Sequence, residues 1–310
     1  STVWAQIGPT GGRDTSFTVR KSYLQEKKHH PDITLADSTL PTGVRVQRNI
    51  AYSTPVADRK LVLDVYAPQT SAAKALPAIL MVHGGGWRSG DRSHNNTLAG
   101  HLAAKGFVAI PVEYRLSTEA LYPAAVHDVK AAIRWMRANA RAYHIDPKRI
   151  AILGFSAGGQ LAALVGSTNG NAAFEGSGGY ATYTSDVQAI VDIDGVLAFI
   201  HPESGEGDDS RSTSAATYWF GYGKAQKPAL WHEASALTHI DKHTPILFLN
   251  SSVDRMHGGR DDLIAKLKPF GTYSEVHTFD GAPHTFMFFN PWFTPTLTYI
   301  TDFLHKVWQF

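Results

Sequence analysis

The chain has 310 residues, 43% of them hydrophobic and 18% charged, with 29 Lys and Arg against 27 Asp and Glu for a formal charge of +2. That balance describes a globular chain able to bury a full core and excludes disordered, collagen-like and coiled-coil classes; no basic run tracks phosphates, so nucleic acid is not an expected partner. With no cysteine in the sequence, disulfides, thiolate catalysis and Cys-ligated metals are excluded as well.

The opening "STVWAQIGPT" has neither the basic start nor the apolar stretch of a signal peptide. No window approaches the ~18 apolar residues of a membrane span, so no membrane partner is expected. A chain that starts on Ser rather than Met fits a processed form, from which a secreted or periplasmic location is expected. Residues 1–43 are polar and weakly patterned, and are expected to form an N-terminal arm that wraps the domain or is partly mobile.

Regular strand signals begin at Val44. "VRVQRNIAY" and "KLVLDVYA" alternate like half-exposed strands, whereas "AILMVH" is the continuous apolar run of a strand buried on both faces. "LAGHLAAKG" reads as a helix ending on Gly106, "FVAIPVEY" as a strand, and "PAAVHDVKAAIRWMRANARAYH" as a long amphipathic helix with Pro123 near its first turn. "RIAILGF" is a strand and "GGQLAALVG" opens a helix; "VQAIVDID", "PILFLNS" and "YSEVHTF" are further strands, and "PTLTYITDFLHKVWQ" closes the chain as a helix. This alternation predicts an α/β fold with a doubly wound, mostly parallel, eight-stranded sheet and an antiparallel start. Between about 197 and 242 the pattern breaks: "HPESGEGDDSRSTS" is rich in Gly, Ser and acid, and "YWFGYG" is aromatic. The segment is expected to be an insertion after the sixth strand, over the end of the sheet where ligands bind.

Two motifs carry chemistry. Gly154-Phe155-Ser156-Ala157-Gly158 fits G-x-S-x-G between a buried strand and a helix, the context in which a tight turn holds a serine hydroxyl above the sheet. "HGGGW", His83 to Trp87, follows "AILMV"; a glycine run there leaves backbone N–H groups free to face an oxyanion, whereas in regular structure each glycine costs roughly 0.5 to 1 kcal/mol relative to alanine.

With these motifs the sequence resembles the α/β-hydrolase fold, and within it the esterases that carry H-G-G-G-W and G-x-S-A-G-G. The similarity runs from about Val44 to the C-terminus, making 44–310 the catalytic domain, and includes the lead-in "HIDPKRIAILGFSAGG". "VDIDGVLAFIHPESGEG" and "PHTFMFFNPWF" are similar to bacterial carbohydrate esterases of the acetyl-xylan and feruloyl type, including relatives that accompany pectin degradation. The resemblance implies a carboxylic ester hydrolase acting through an acyl-enzyme on acetyl or feruloyl esters of plant polysaccharide. A general carboxylesterase or lipase and an arylformamidase-like hydrolase are the alternatives. No cofactor and no metal are implied.

The remaining partners should follow in the order acid, then histidine. His284 in "DGAPHTF" lies where this fold returns its base, with His257 a rival, and His83 is expected to hold the glycine loop. Asp254, after "PILFLN", occupies the expected acid position, with Asp261, Asp262 and Asp194 as competitors; Asp128 is expected to be a surface or helix-contact charge. Ala157, Gly85 and Gly86 are the candidate oxyanion-hole donors. Trp87 and Trp292 are the candidate substrate contacts, with Tyr218, Trp219 and Tyr222 as a further aromatic group and Phe286 to Phe293 readable equally as packing. The acidic loop of Glu203, Glu206, Asp208 and Asp209 should mildly disfavour polyanionic pectin.

Overall fold

The computed structural model describes residues 5–70 and 73–310, so the first four residues of the expected arm lie outside the described residues. In chain order the elements are α1 (Val19–Glu26), β1 (Thr34–Leu35), β2 (Val44–Val56), β3 (Arg59–Pro68), β4 (Leu76–Val82), α2 (Asn96–Ala104), β5 (Val108–Val112), α3 (Ala124–Ala138), β6 (Ile145–Phe155) and α4 (Ala157–Ser167). They continue with β7 (Ala189–Ile193), α5 (Ala215–Phe220), α6 (Pro228–Glu233), β8 (Ile246–Asn250), α7 (Arg260–Leu267), β9 (Ser274–Thr278), β10 (Phe289–Asn290) and α8 (Phe293–Trp308). Among the described residues eight strands form the main sheet in the order β2-β3-β5-β4-β6-β7-β8-β9. The β2-β3 and β3-β5 pairs are antiparallel and the rest parallel.

The apolar runs are continuous because helices cover both faces of the sheet. Side chains alternate across a strand: Ala78, Leu80 and Val82 of β4 join one core with Ile150 and Ile152 of β6, while Ile79 and Met81 join the other with Ala151, Leu153 and Phe155. The second core is closed by α8, which buries Phe293, Leu297, Ile300, Phe303 and Leu304, a helical spacing that puts one stripe against the sheet.

One expectation about the elements needs correction. The long helix stops at Ala138 rather than continuing to His144. The Asn139 side chain donates to the Trp135 carbonyl at 2.9 Å, and the backbone turns through φ 60° at His144, so the helical ladder ends. The N-terminal arm contains α1, pairs β1 with β10 and buries Ile33.

The insertion carries α5 and α6 and an aromatic core of its own. Phe199, Trp219, Phe220 and Trp231 are all buried, with Phe199 and Phe220 each in ring contact with the other three, which fixes the segment over the end of the sheet. Asp128 in α3 is a helix-contact charge. It is buried and accepts from Arg115 at 2.9 Å from Nη2 and 2.9 Å from the backbone N–H, an ion pair largely out of water. Removing one partner strands the other, so Asp128→Ala should lower unfolding free energy by about 3–5 kcal/mol. Urea unfolding checks this; a loss below ~1 kcal/mol would show that water reaches the pair.

Candidate active site

The carboxyl ends of β4, β6 and β7 lie side by side, because these strands are direct neighbours with Val82 opposite Gly154 and Phe155 opposite Ile193. Each is followed at once by a residue of the site: His83, Ser156 and Asp194. Such a crevice is where open α/β sheets bind ligands.

Ser156 stands between β6 and α4 with φ 56° and ψ −119°, a conformation L residues avoid and that the surroundings must impose. The flanking glycines make it attainable. A Cβ on Gly154 would lie 1.8 Å from the Gly158 carbonyl oxygen, and one on Gly158 2.1 Å from the Val82 carbonyl oxygen. The Ser156 N–H donates to the Ile193 carbonyl at 2.8 Å, tying the turn to the neighbouring strand.

His284, in the loop after β9, brings its Nε2 to 2.8 Å from Ser156 Oγ and its Nδ1 to 2.8 Å from Asp194 Oδ2. Since the carboxylate accepts, Nδ1 carries the proton and Nε2 is free to accept from the serine. The carboxylate that His284 meets is therefore Asp194, one of the competing carboxylates, and not Asp254. The Asp254 side chain is 90% exposed and its carboxylate meets only His257, at 3.6 Å. The reason lies in the backbone: Asp194 turns through φ 52° directly off β7, next to the serine strand. The end of β8 and the loop after it, where the acid was expected, instead serve Asp194 with donors: the Ser251 N–H at 2.9 Å, the Ser251 hydroxyl and the Asn250 amide. Asp261 and Asp262 lie in the first turn of α7 and pair with Arg260 and His201. His257 faces Asp254 rather than Ser156.

The glycine loop sits across from the serine. Its His83 is buried, with burial pushing the imidazole down to about 4, so the ring is neutral and donates from Nδ1 to the Gly84 carbonyl at 2.6 Å. Tyr114 stacks on it at 4.5 Å and donates to its carbonyl. Ala157 is the first residue of α4, so its N–H has no intrahelical acceptor. Gly85 and Gly86 line the space beside Ser156.

Two spaces meet at Ser156. A cavity of about 160 Å³ is walled by Trp87, Gln160, Val196, Glu206, Ala215 and Met256. A more open one of about 310 Å³ is bordered by His284, Phe155, Arg88 and the arm residues Asp14, Ser16 and Phe17. Trp87 edges the smaller cavity but is only 3% exposed. It stacks on Trp219 at 4.9 Å and 7° and donates from Nε1 to Gln160 Oε1, so it offers no free ring face. Trp292 is away from the site, meeting His30 edge-on at the start of α8. Phe286, Phe288 and Phe289 are buried packing beneath the sheet; Tyr218 sits under the Arg88 guanidinium at 4.1 Å.

The sequence reading missed Gln160, and named Glu206 only as one charge of the acidic loop. Gln160 bridges Trp87 and the Ala234 carbonyl, and its signal was a lone amide in an otherwise apolar helix. Glu206 faces the smaller cavity; burial raises its carboxyl, opposed by Arg255, His284 and Lys224. Beneath the site Asp192 is fully buried, accepts from the Gly195 N–H at 2.7 Å and has its other oxygen unpartnered. Among the described residues no group of three or more His, Cys, Asp or Glu could hold a metal, and no helix is long and apolar enough to cross a membrane.

Residues 63–267 match the BD-FAE family. The chain belongs to that family. It is 28% identical over 216 residues to esterase LipC of Mycobacterium tuberculosis, covering 67% of this chain and 50% of the relative, so it spans about half the length of the curated relatives it matches. Among solved structures it is similar to a truncated carbohydrate esterase from gut microbiota, at TM-score 0.70 and 26% identity over 86% of this chain and 98% of that one. It is likewise similar to Thermogutta terrifontis esterase 2 with butyrate bound, at TM-score 0.68 and 25% identity, over 86% and 95%. The α/β-hydrolase fold of this BD-FAE member is thus shared with esterases.

Burial and the nearby Asp194 raise Asp192 well above the usual carboxyl range. A group with a raised folded value binds a proton that the unfolded chain releases, so the protein loses stability as pH rises from about 4. Asp192→Asn removes that loss. The melting temperature of the variant should gain on the wild type between pH 4 and pH 7; a difference that is flat with pH would mean that Asp192 is ionised in place.

Proposed function

We propose that this BD-FAE member is a serine carboxylic ester hydrolase for short-acyl, chiefly acetyl, esters of plant cell-wall polysaccharide. The observation that carries the reading is the unbroken chain Ser156 Oγ, His284, Asp194, with 2.8 Å at each link. Ser156 attacks the ester carbonyl as His284 Nε2 takes its proton, and Asp194 holds the imidazole tautomer and stabilises the imidazolium. The tetrahedral oxyanion is held by the N–H groups of Ala157 and of Gly85 or Gly86, where one such donor contributes about 3–4 kcal/mol. His284 then gives its proton to the departing alcohol, and water deacylates Ser156 by the same groups in reverse.

The proton transfer assigns the two spaces. The alcohol must leave beside His284 Nε2, hence through the open side, which places the acyl group in the cavity of about 160 Å³. Trp87, Gln160 and the Glu206 carboxyl close that cavity, which favours a small acyl group over a long alkyl chain. The butyrate bound to the Thermogutta esterase and the carbohydrate esterase among the similar structures support the same reading. Such a substrate fits a secreted or periplasmic enzyme.

Acetate and ferulate release followed in parallel from acetylated xylan, feruloylated arabinoxylan and acetylated pectin, with p-nitrophenyl acetate and octanoate alongside, tests this. Acetate release from polysaccharide is expected, with the octanoate ester at least ~10-fold poorer than the acetate, and Ser156→Ala inactive on all. Activity on small synthetic esters alone would leave a general carboxylesterase, the reading the LipC similarity favours.

A further inference from the structure

We infer that the N-terminal arm is part of the substrate site: Asp14, Ser16 and Phe17, together with Arg88, form the leaving-group subsite and select a ring-shaped polyol alcohol. The inference rests on the proposed ester hydrolysis at Ser156, since it needs the alcohol to depart on the His284 side.

The arm is fastened along the glycine loop residue by residue. The Arg13 guanidinium donates to the Gly90 carbonyl at 3.0 Å, Asp14 Oδ2 accepts from Arg88 Nε at 3.1 Å, and the Phe17 N–H donates to Ser89 Oγ at 2.9 Å. Upstream, the Ile7 N–H reaches the Gly221 carbonyl in the insertion and the Gly11 N–H the Thr118 carbonyl. A segment held at these points has a fixed place, and that place is the mouth of the open space containing Ser156 and His284.

The side chains it presents suit one chemistry. Phe17 is partly exposed and its ring lies 6.4 Å from that of Phe155, the residue before the nucleophile. The ring also meets His94 edge-on and Phe288, so it is held in place and brings its uncovered apolar part to the entrance. Asp14 and Arg88 are paired, with Arg88 also over the Tyr218 ring at 4.1 Å, so a planar guanidinium and a carboxylate are held in one orientation with donors and acceptors left over. A pyranose presents an apolar ring face to an aromatic and hydroxyls to such a pair. A long hydrocarbon alcohol would leave the Asp14–Arg88 pair desolvated and unmatched.

The test holds the acyl group at acetyl and varies the alcohol: ethyl acetate, cyclohexyl acetate, peracetylated xylose and acetylated xylo-oligosaccharides, with the full chain. In the Asp14→Ala/Phe17→Ala protein, kcat/KM for the xylose esters relative to ethyl acetate should fall at least ~10-fold, mainly through KM, the size of one lost aromatic or charged hydrogen-bond contact. Ser16→Trp, at an exposed position, should lower kcat/KM for the ring-sized esters at least ~10-fold more than for ethyl acetate, so the inference stays testable if the double variant folds poorly. An equal fall on all esters would overturn it, leaving the arm as a brace for the glycine loop; so would no change in either protein. A wild type that cleaves cyclohexyl acetate but no sugar ester would sink the carbohydrate reading and the polyol selection with it, while the place of the arm beside the leaving group would still be read from the cyclohexyl-to-ethyl ratio.

Discussion

The buried carboxylate of Asp194 is the joint on which the site depends. It sits where β7 ends and is fully enclosed by protein. A carboxylate so placed must find donors in every direction. It takes them from Ser251 and Asn250 on the next strand's loop and from His284 on the loop beyond β9. One side chain therefore ties together three successive strand ends. Once they are tied, the His284 ring has one available orientation, the one that puts Nε2 against Ser156.

The other half of the site is steric. The strain at Ser156 persists because glycines on both sides let backbones approach where no Cβ fits, and because the Ser156 N–H is anchored to β7. The insertion then backs the smaller cavity through Trp219, which stacks flat on Trp87 and so turns the last residue of the H-G-G-G-W motif into a wall. The arm finishes the opposite side by bonding to the three residues that follow that motif. Ser156 is reached between one wall supplied by an insertion and another supplied by Asp14, Ser16 and Phe17 of the arm.

Much of this was legible in the sequence, for identifiable reasons. The eight main strands announced themselves because alternating or continuous apolar runs report how many faces are covered. Ser156 and His284 were readable because their local contexts, a glycine-flanked strand-to-helix turn and a loop after the last strand, are narrow. The acid was not. Asp194 and Asp254 both follow a buried strand, and the choice between them turns on one positive φ and on which loop donates hydrogen bonds, neither of which leaves a residue pattern. Trp87 does wall the smaller cavity, with its ring faces covered, whereas Trp292 lies elsewhere, and an aromatic residue near a motif looks the same in either case. The arm's polarity concealed its contacts, which are made through backbone groups and single side chains rather than an apolar stripe.

The most direct test compares kcat of Asp194→Asn and Asp254→Asn on p-nitrophenyl acetate, with folding of both checked by near-UV circular dichroism. Loss of the carboxylate that orients His284 should lower kcat by about 10³–10⁴-fold in Asp194→Asn. Asp254, out in solvent, should leave kcat within about twofold when changed. The reverse pattern, a collapse in Asp254→Asn with Asp194→Asn near wild type, would contradict the account and return the acid to the loop after β8.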